Sequence, residues 1–329
     1  MKKYQLAGIG NATVDVIARA PDQLLDDLGI RKGVMQLVGR EQAEALLSRM
    51  DERSQSAGGS VANTIVGAGT LGLRTAFLGR VHDDELGRFC AADTARTGTD
   101  FVNPPVPDGE LPTSRCMIFV TPDGERSMST YLGISAELGP EDVNEAVMAD
   151  SEYVFLEGYL FDKDKGKEAF LKAARTCRKA GGRVGVALSD PFCVTRHRDD
   201  FRRLIRDEMD FVIGNQQEWV ALYHANDITD ALAQAAHEAP MLVCTRSGDT
   251  VMLMHDGHHV ELPVERTVPV DATGAGDQFA AGFLYGLATG HSLETSGRMG
   301  CIAASEVISH MGARPQANVR ARLHAAGLL

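Results

Sequence analysis

The sequence predicts an α/β protein: a mainly parallel sheet with helices on both faces, plus a small β-sheet lid. Three observations carry this. Apolar runs of strand length alternate with helix-length amphipathic segments through most of the chain, the pattern of a sheet wound through crossover helices. Two regions break the alternation with short strands that lack an intervening helix. The chain's 329 residues, 44% hydrophobic and 24% charged, suffice for a large core and are too apolar for a disordered chain.

In chain order, residues 3–9 read as a strand, 14–18 and 34–38 as short strands, and 41–50 as a helix. Residues 60–71 read as a helix, 75–80 as a strand and 85–97 as a helix. Segments 115–121 and 126–131 flank Pro122-Asp123-Gly124-Glu125, whose turn chemistry makes them a hairpin. Then follow strand 153–156, helix 165–180 ended by Gly181-Gly182, strand 183–188, helix 201–206, strand 211–213, helix 216–223 and strand 241–245. Residues 1–329 are expected as one domain, its lid built from about 12–20, 33–39 and 112–134.

The formal charge is 33 − 45 = −12, which argues against nucleic acid or an anionic membrane as main partners, since both need a basic stripe. The basic run Arg196-His197-Arg198 is diluted by Asp199 and Asp200, as on a solvated helix face. Six cysteines without a CxxC pair point to a reduced compartment. The longest apolar stretch, 279–288, is half of the ~20 residues that cross a bilayer. A cytoplasmic protein acting on small molecules is expected.

Gly67-Ala68-Gly69-Thr70-Leu71-Gly72 matches GxGxxG, but these glycines close a helix where a dinucleotide fingerprint must open one. They read as packing glycines. His197-Arg198-Asp199 copies a protein-kinase triplet without the metal-binding Asn that should follow.

The informative segment is Asp271-Ala272-Thr273-Gly274-Ala275-Gly276-Asp277, which runs into a buried helix. The N–H groups of Gly274, Ala275 and Gly276, with the helix dipole, make an anion site that a phosphate can approach closely. Asp277 in the first turn is either a helix-stabilising carboxylate or a general base beside that phosphate, and the surrounding glycines favour the base. Ala57-Gly58-Gly59-Ser60-Val61-Ala62-Asn63 also enters a helix; it and Asn11 and Asp15 near the first strand pair are either turn chemistry alone or polar groups suited to polyhydroxyl recognition.

These two glycine segments, about two hundred residues apart, resemble the paired signatures of the ribokinase (PfkB carbohydrate kinase) family. The first runs from Ala57 to Gly87, the second from Asp271 to Gly282, and the alternating elements agree over essentially the whole chain. The resemblance implies a ribokinase-like fold and ATP-dependent phosphorylation of a sugar hydroxyl. Asp277 would be the base, and Gly274, Ala275 and Gly276 the anion hole. Asn215-Gln216-Gln217-Glu218 would organise Mg²⁺ through water, and Asn215, Thr245, Gly248, Thr273, Gly274, Gly276 and Cys301 would serve ATP. Asp271 and residues 310–312 fall where family members often hold a monovalent cation, K⁺. Ala272 and Gly300-Cys301 depart from residues common in the family, and the second departure touches the nucleotide side.

Within the family, Gly10-Asn11-Ala12-Thr13-Val14-Asp15 and the lid segment Gly124–Gly133 resemble the adenosine kinase branch. That resemblance implies transfer from ATP to the ribose 5′-hydroxyl of adenosine, held by Asn11, Asp15, Gly58, Gly59 and Asn63. Arg126 would swing in to meet the transferring phosphate. Met117, Phe119, Met128 and Tyr131 are candidates for the wall around a purine, and equally for core packing of the lid. The alternatives are a kinase of ribose, fructose, a keto-deoxy sugar acid or another nucleoside, with Arg115 as the extra cation a sugar acid wants. A non-catalytic nucleoside- or sugar-binding protein is the distant alternative. The family uses its lid in monomers or as a homodimer interface.

Overall fold

The structure is a computed structural model, and it describes residues 1–265 and 268–329. Its strands are β1 (Tyr4–Ile9), β2 (Thr13–Arg19), β3 (Met35–Leu37), β4 (Ser54–Gly58), β5 (Thr75–Leu78), β6 (Asp100–Phe101) and β7 (Ser114–Val120). They continue as β8 (Arg126–Tyr131), β9 (Ser151–Glu157), β10 (Arg183–Ala187), β11 (Phe211–Asn215), β12 (Met241–Thr245), β13 (Thr250–His255) and β14 (His258–Pro263). The expected alternation becomes a nine-stranded sheet in the order β14-β13-β12-β11-β10-β9-β1-β5-β6. It is parallel from β6 to β12 and antiparallel over the β12–β13–β14 meander.

Alternation along the strands feeds two cores, one on each face. In β9, Phe155 packs on one side with Phe211, Phe279 and Phe283. Its neighbours Val154 and Leu156 pack on the other with Val186 and Trp219. The Ser60–Thr70 helix lies against the Ala275–Ala288 helix. A side chain at Gly67 would press within 2.9 Å of Ala281, so the GxGxxG glycines serve packing, as expected.

The lid is a second sheet of five strands in the order β3-β8-β7-β2-β4. Four were expected; β4 was not. Ser54-Gln55-Ser56-Ala57-Gly58 has no apolar alternation, and it is a strand because it pairs antiparallel with β2 from Thr13↔Gly58 to Ile17↔Ser54. The pairing brings Gly58 under Asp15, where a β-carbon would meet the carboxylate at 2.7 Å.

Register decides what the lid presents. Asp15 pairs with Cys116 and Cys116 with Thr130, so these three share a face with Ile17, Ile118, Met128 and Arg126. Val14, Arg115 and Tyr131 point to the other face with Met117 and Phe119. That second face is core: Met117 and Phe119 are fully buried, and Tyr131 lies under the Arg115 guanidinium, 5.6 Å from its ring centre. Tyr131 is therefore removed from the substrate-binding set and Arg115 from the candidates for a sugar acid. Of the four wall residues considered, Met128 alone is on the face of Asp15.

Candidate active site

Parallel strands deliver their C-terminal ends to one rim of the sheet, and loops leaving that rim form the crevice in open α/β folds. Here the rim collects Asn11 after β1, Glu157 at the end of β9, Ser189 after β10, Asn215 at the end of β11 and Thr245 at the end of β12. Across the crevice stands the N-terminus of the Ala275–Ala288 helix.

Gly274 caps this helix with φ of 80°, a left-handed conformation suited to glycine. Among the described residues, the Ala275 N–H is taken by the Ala272 carbonyl at 3.2 Å, whereas the Gly274, Gly276 and Asp277 amides have no protein acceptor. The amides free of protein acceptors are thus those of Gly274, Gly276 and Asp277, where the expected trio was Gly274, Ala275 and Gly276. Nothing lies within 4 Å of a β-carbon built on Gly276, so the space in front of these amides is open.

The Asp277 carboxylate accepts from Ser60 Oγ at 2.7 Å and from Asn63 Nδ2 at 3.1 Å. Burial pushes it up to about 6 against the pull of these two donors. A base of that strength is ionised at neutral pH and still able to hold a proton in passing. A base must be ionised to act, so with Asp277 in that role kcat at saturating acceptor is expected to fall tenfold per pH unit below about 6. A kcat profile between pH 4.5 and 8 reads this limb, and a flat profile would remove Asp277 from the role.

Asp15 faces the same corner, also raised by burial to about 6, against the pull of Arg126 and Arg314. Gly59, with φ of 108°, caps the Ser60–Thr70 helix and touches the Asn11 carbonyl, leaving no room for a side chain. Asn11 itself is turned inward. Its Nδ2 donates to Glu157 at 2.7 Å, its Oδ1 accepts from Ser135, and 5% of the residue is exposed. It braces the site, and Glu157, absent from the expected set, is the group it braces. Glu157 also accepts from the Val61 N–H at 2.9 Å and is raised by burial to about 7. Leu156-Glu157-Gly158 carried the signal: a lone carboxylate ending an apolar strand sits where such sheets bind ligands.

Asn215 and Glu218 form a reciprocal capping box on the Gln216–Tyr223 helix. Glu218 N–H donates to Asn215 Oδ1 at 2.9 Å, and Glu218 accepts from the Asn215 backbone and side chain. Glu218 is raised by burial to about 7. With Asp277 and Gly276 the pair lines a cavity of about 120 Å³. That room and that acceptor set fit a hydrated Mg²⁺ held through its waters; among the described residues no three His, Cys, Asp or Glu side chains converge on a metal directly. Asn215, Thr245 and Gly276 also line the adjoining cavity of about 520 Å³, together with Gly248, Phe279 and Cys301. Its size is that of a nucleotide pocket. Thr273 and Gly274 are not among its walls.

Arg126 reaches down from the lid and bonds Asp271, with Thr273 Oγ1 3.3 Å away. Asp271 also accepts from the Gly312 and Thr273 amides. Burial alone would raise Asp271, but the Gly312 and Thr273 donors and the guanidinium hold it below its ordinary value. The carboxylate that the family resemblance offers to K⁺ is thus engaged by the lid arginine.

An open amide cradle beside a nucleotide-sized cavity, with a carboxylate one residue further along the helix, answers what phosphoryl transfer to a hydroxyl requires, and the class so defined is a small-molecule phosphotransferase. Residues 32–319 match the pfkB family carbohydrate kinases, and the chain belongs to that family. A 5-dehydro-2-deoxygluconokinase from Bacillus licheniformis is 29% identical over 273 residues, 78% of this chain and 82% of that protein. Among solved structures, a probable sugar kinase from Rhizobium etli is 41% identical over the whole of both chains, with a TM-score of 0.92. An adenosine kinase from Sinorhizobium meliloti is 42% identical over 98% of this chain and 99% of its own, with a TM-score of 0.90. Family membership implies ATP as phosphoryl donor. No helix among the described residues is long and apolar enough to cross a membrane.

Proposed function

We propose that this chain transfers the γ-phosphate of ATP to the 5′-hydroxyl of a ribonucleoside, adenosine before others. The observation that carries the acceptor is the cleft face of the lid. Past Asp15 it presents the half-buried Ile17 and Met128, backed by the buried Cys116 and Ile118, an apolar patch against which a purine would pack. Ile17 also borders an open groove of about 990 Å³, lined by Val120 and Met311 together with the polar Arg19, Asp51, Glu52 and Thr121. The 42% identity to an adenosine kinase supports the same reading.

In this reaction Asp15 and Asn63 hold the ribose with the Gly58–Gly59 backbone, and ATP occupies the 520 Å³ cavity with its γ-phosphate before Gly274, Gly276 and Asp277. Asp277 takes the proton of the attacking hydroxyl. Arg126 leaves Asp271 for the transferring phosphoryl group, where a planar, always-charged fork matches the oxygens. Mg²⁺, organised through water by Asn215 and Glu218, would neutralise phosphate charge. Lid closure excludes water, which limits futile hydrolysis.

A second reading, a keto-deoxy sugar acid as acceptor, has two supports. Curated relatives bear the name 5-dehydro-2-deoxygluconokinase. Arg314, a cation absent from the expected site, stands beside Asn63 with one nitrogen lacking a partner among the described residues. ADP release from Mg-ATP with adenosine, inosine, ribose, fructose and 5-dehydro-2-deoxygluconate separates the readings. Turnover on micromolar adenosine is expected. Turnover on the sugar acid alone would install the second reading, and no ADP with any acceptor would sink the kinase assignment.

A further inference from the structure

We propose that Arg314 is a positioning residue for the base, fixing the Asn63 amide so that its nitrogen faces Asp277; the proposal rests on Asp277 acting as base. The residues form a chain across the site. Asp93 Oδ2 accepts from Arg314 Nη1 at 3.0 Å, and Arg314 Nε donates to Asn63 Oδ1 at 3.2 Å. Asn63 Nδ2 then donates to Asp277 at 3.1 Å.

An amide can be turned either way about its last torsion. A guanidinium only donates and a carboxylate only accepts, so Asn63 satisfies both neighbours in one orientation. The orientation matters most when Asp277 receives its proton. A protonated carboxyl can donate, and an amide free to turn would offer it an oxygen and trap the proton. Arg314 already donates to that oxygen and opposes the turn, keeping Asp277 in the form that can act again.

The loop carrying Arg314 is built to hold this position. Glu306, fully buried, accepts from the Gln316 and Ala317 amides and from His310. The Ala313 carbonyl accepts from Gln278 Nε2 at 3.1 Å, next to Asp277 in sequence. Other titratable groups facing Asp277 are Asp15 on the lid, Glu157 and Tyr159 at the end of β9, and Glu218 across the small cavity. All are acidic, so Asn63, with Ser60, is what holds Asp277 ionised among them.

The test is the acid limb of kcat at saturating acceptor, where Asp15 is already engaged by the substrate, on whichever acceptor turns over, with circular dichroism and Tm as folding controls. Arg314→Met is expected to move the limb up by about one pH unit and to lower kcat at pH 7 about tenfold, the scale of lost outer-shell support. Its KM for ATP stays put. Arg314→Lys, which keeps a charged donor, recovers part of the shift. Asn63→Leu moves the limb the same way, and Arg314→Met added to it moves it no further. If Arg314→Met does not fold, Arg314→Gln, too short to reach both Asn63 and Asp93, is read in its place. A limb unmoved by the Arg314 variants, or moved equally in the Asn63→Leu background, overturns the proposal while leaving Asp277 as base. Full activity of Asp277→Asn, by contrast, removes the base assignment itself.

Discussion

Asp277→Asn is expected to lose about 10²–10⁴-fold in kcat, the span of a general base, with little change in KM for ATP. The nucleotide cavity is walled by other residues, so ground-state ATP binding does not depend on this carboxylate. The same variant is expected to be at least as thermostable as the parent at pH 7.5. The sign follows from burial, which raises the Asp277 carboxyl from 3.8 to about 6. A group raised on folding favours the folded state when protonated, fully so below its unfolded value, and that favour is lost as pH rises through about 6. At pH 7.5 the parent bears the whole cost of an ionised buried carboxylate, which an amide does not. Tm of both proteins between pH 5 and 8 checks this: any advantage of the variant shrinks toward pH 5. A variant markedly less stable at pH 7.5 would mean that the Ser60 and Asn63 hydrogen bonds outweigh the burial of charge.

Two glycines of one turn should fail in opposite ways. Gly276→Val is expected to fold, with Tm within a few degrees of the parent, because its β-carbon enters open space and a β-branched residue costs a helix only a few tenths of a kcal/mol. That space is where the phosphate must approach the amides, and kcat/KM for ATP should fall about 10²–10³-fold, the worth of an oxyanion donor. Gly274→Ala should instead lose stability. Its φ of 80° costs an alanine about 1–3 kcal/mol, and its β-carbon would come within 2.7 Å of the Ala313 backbone. Thermal melts beside ATP-dependence assays distinguish the two. A Gly276→Val enzyme that uses ATP normally would mean the phosphate does not approach this turn.

Legibility followed distance along the chain. Asp271 to Asp277 could be read because the turn, the glycines and the helix start are contiguous, and local hydrogen bonding decides their geometry. The Asn215–Glu218 capping box is legible for the same reason, as a three-residue spacing on one helix turn. The hydrogen bond from the Ala275 amide to the Ala272 carbonyl could not be read, because it depends on the left-handed turn at Gly274, which residue identity permits without compelling.

By itself the sequence determined the α/β alternation, the pfkB family and the residue placed as base, since hydrophobic period and short motifs are properties of neighbours. Tertiary structure alone decided which face of the lid looks into the cleft. Strand parity sends Asp15 one way and Tyr131 the other, and that parity is set by the β2–β7 register, which pairs Asp15 with Cys116 across about one hundred residues of chain, and passed on through the β7–β8 hairpin. It also brought Glu157 and Arg314 to a corner shared with Asn63 and Asp277. No local pattern marks Arg314, because a guanidinium's partners are chosen by the folded path of a chain that separates it from Asn63 by 251 residues.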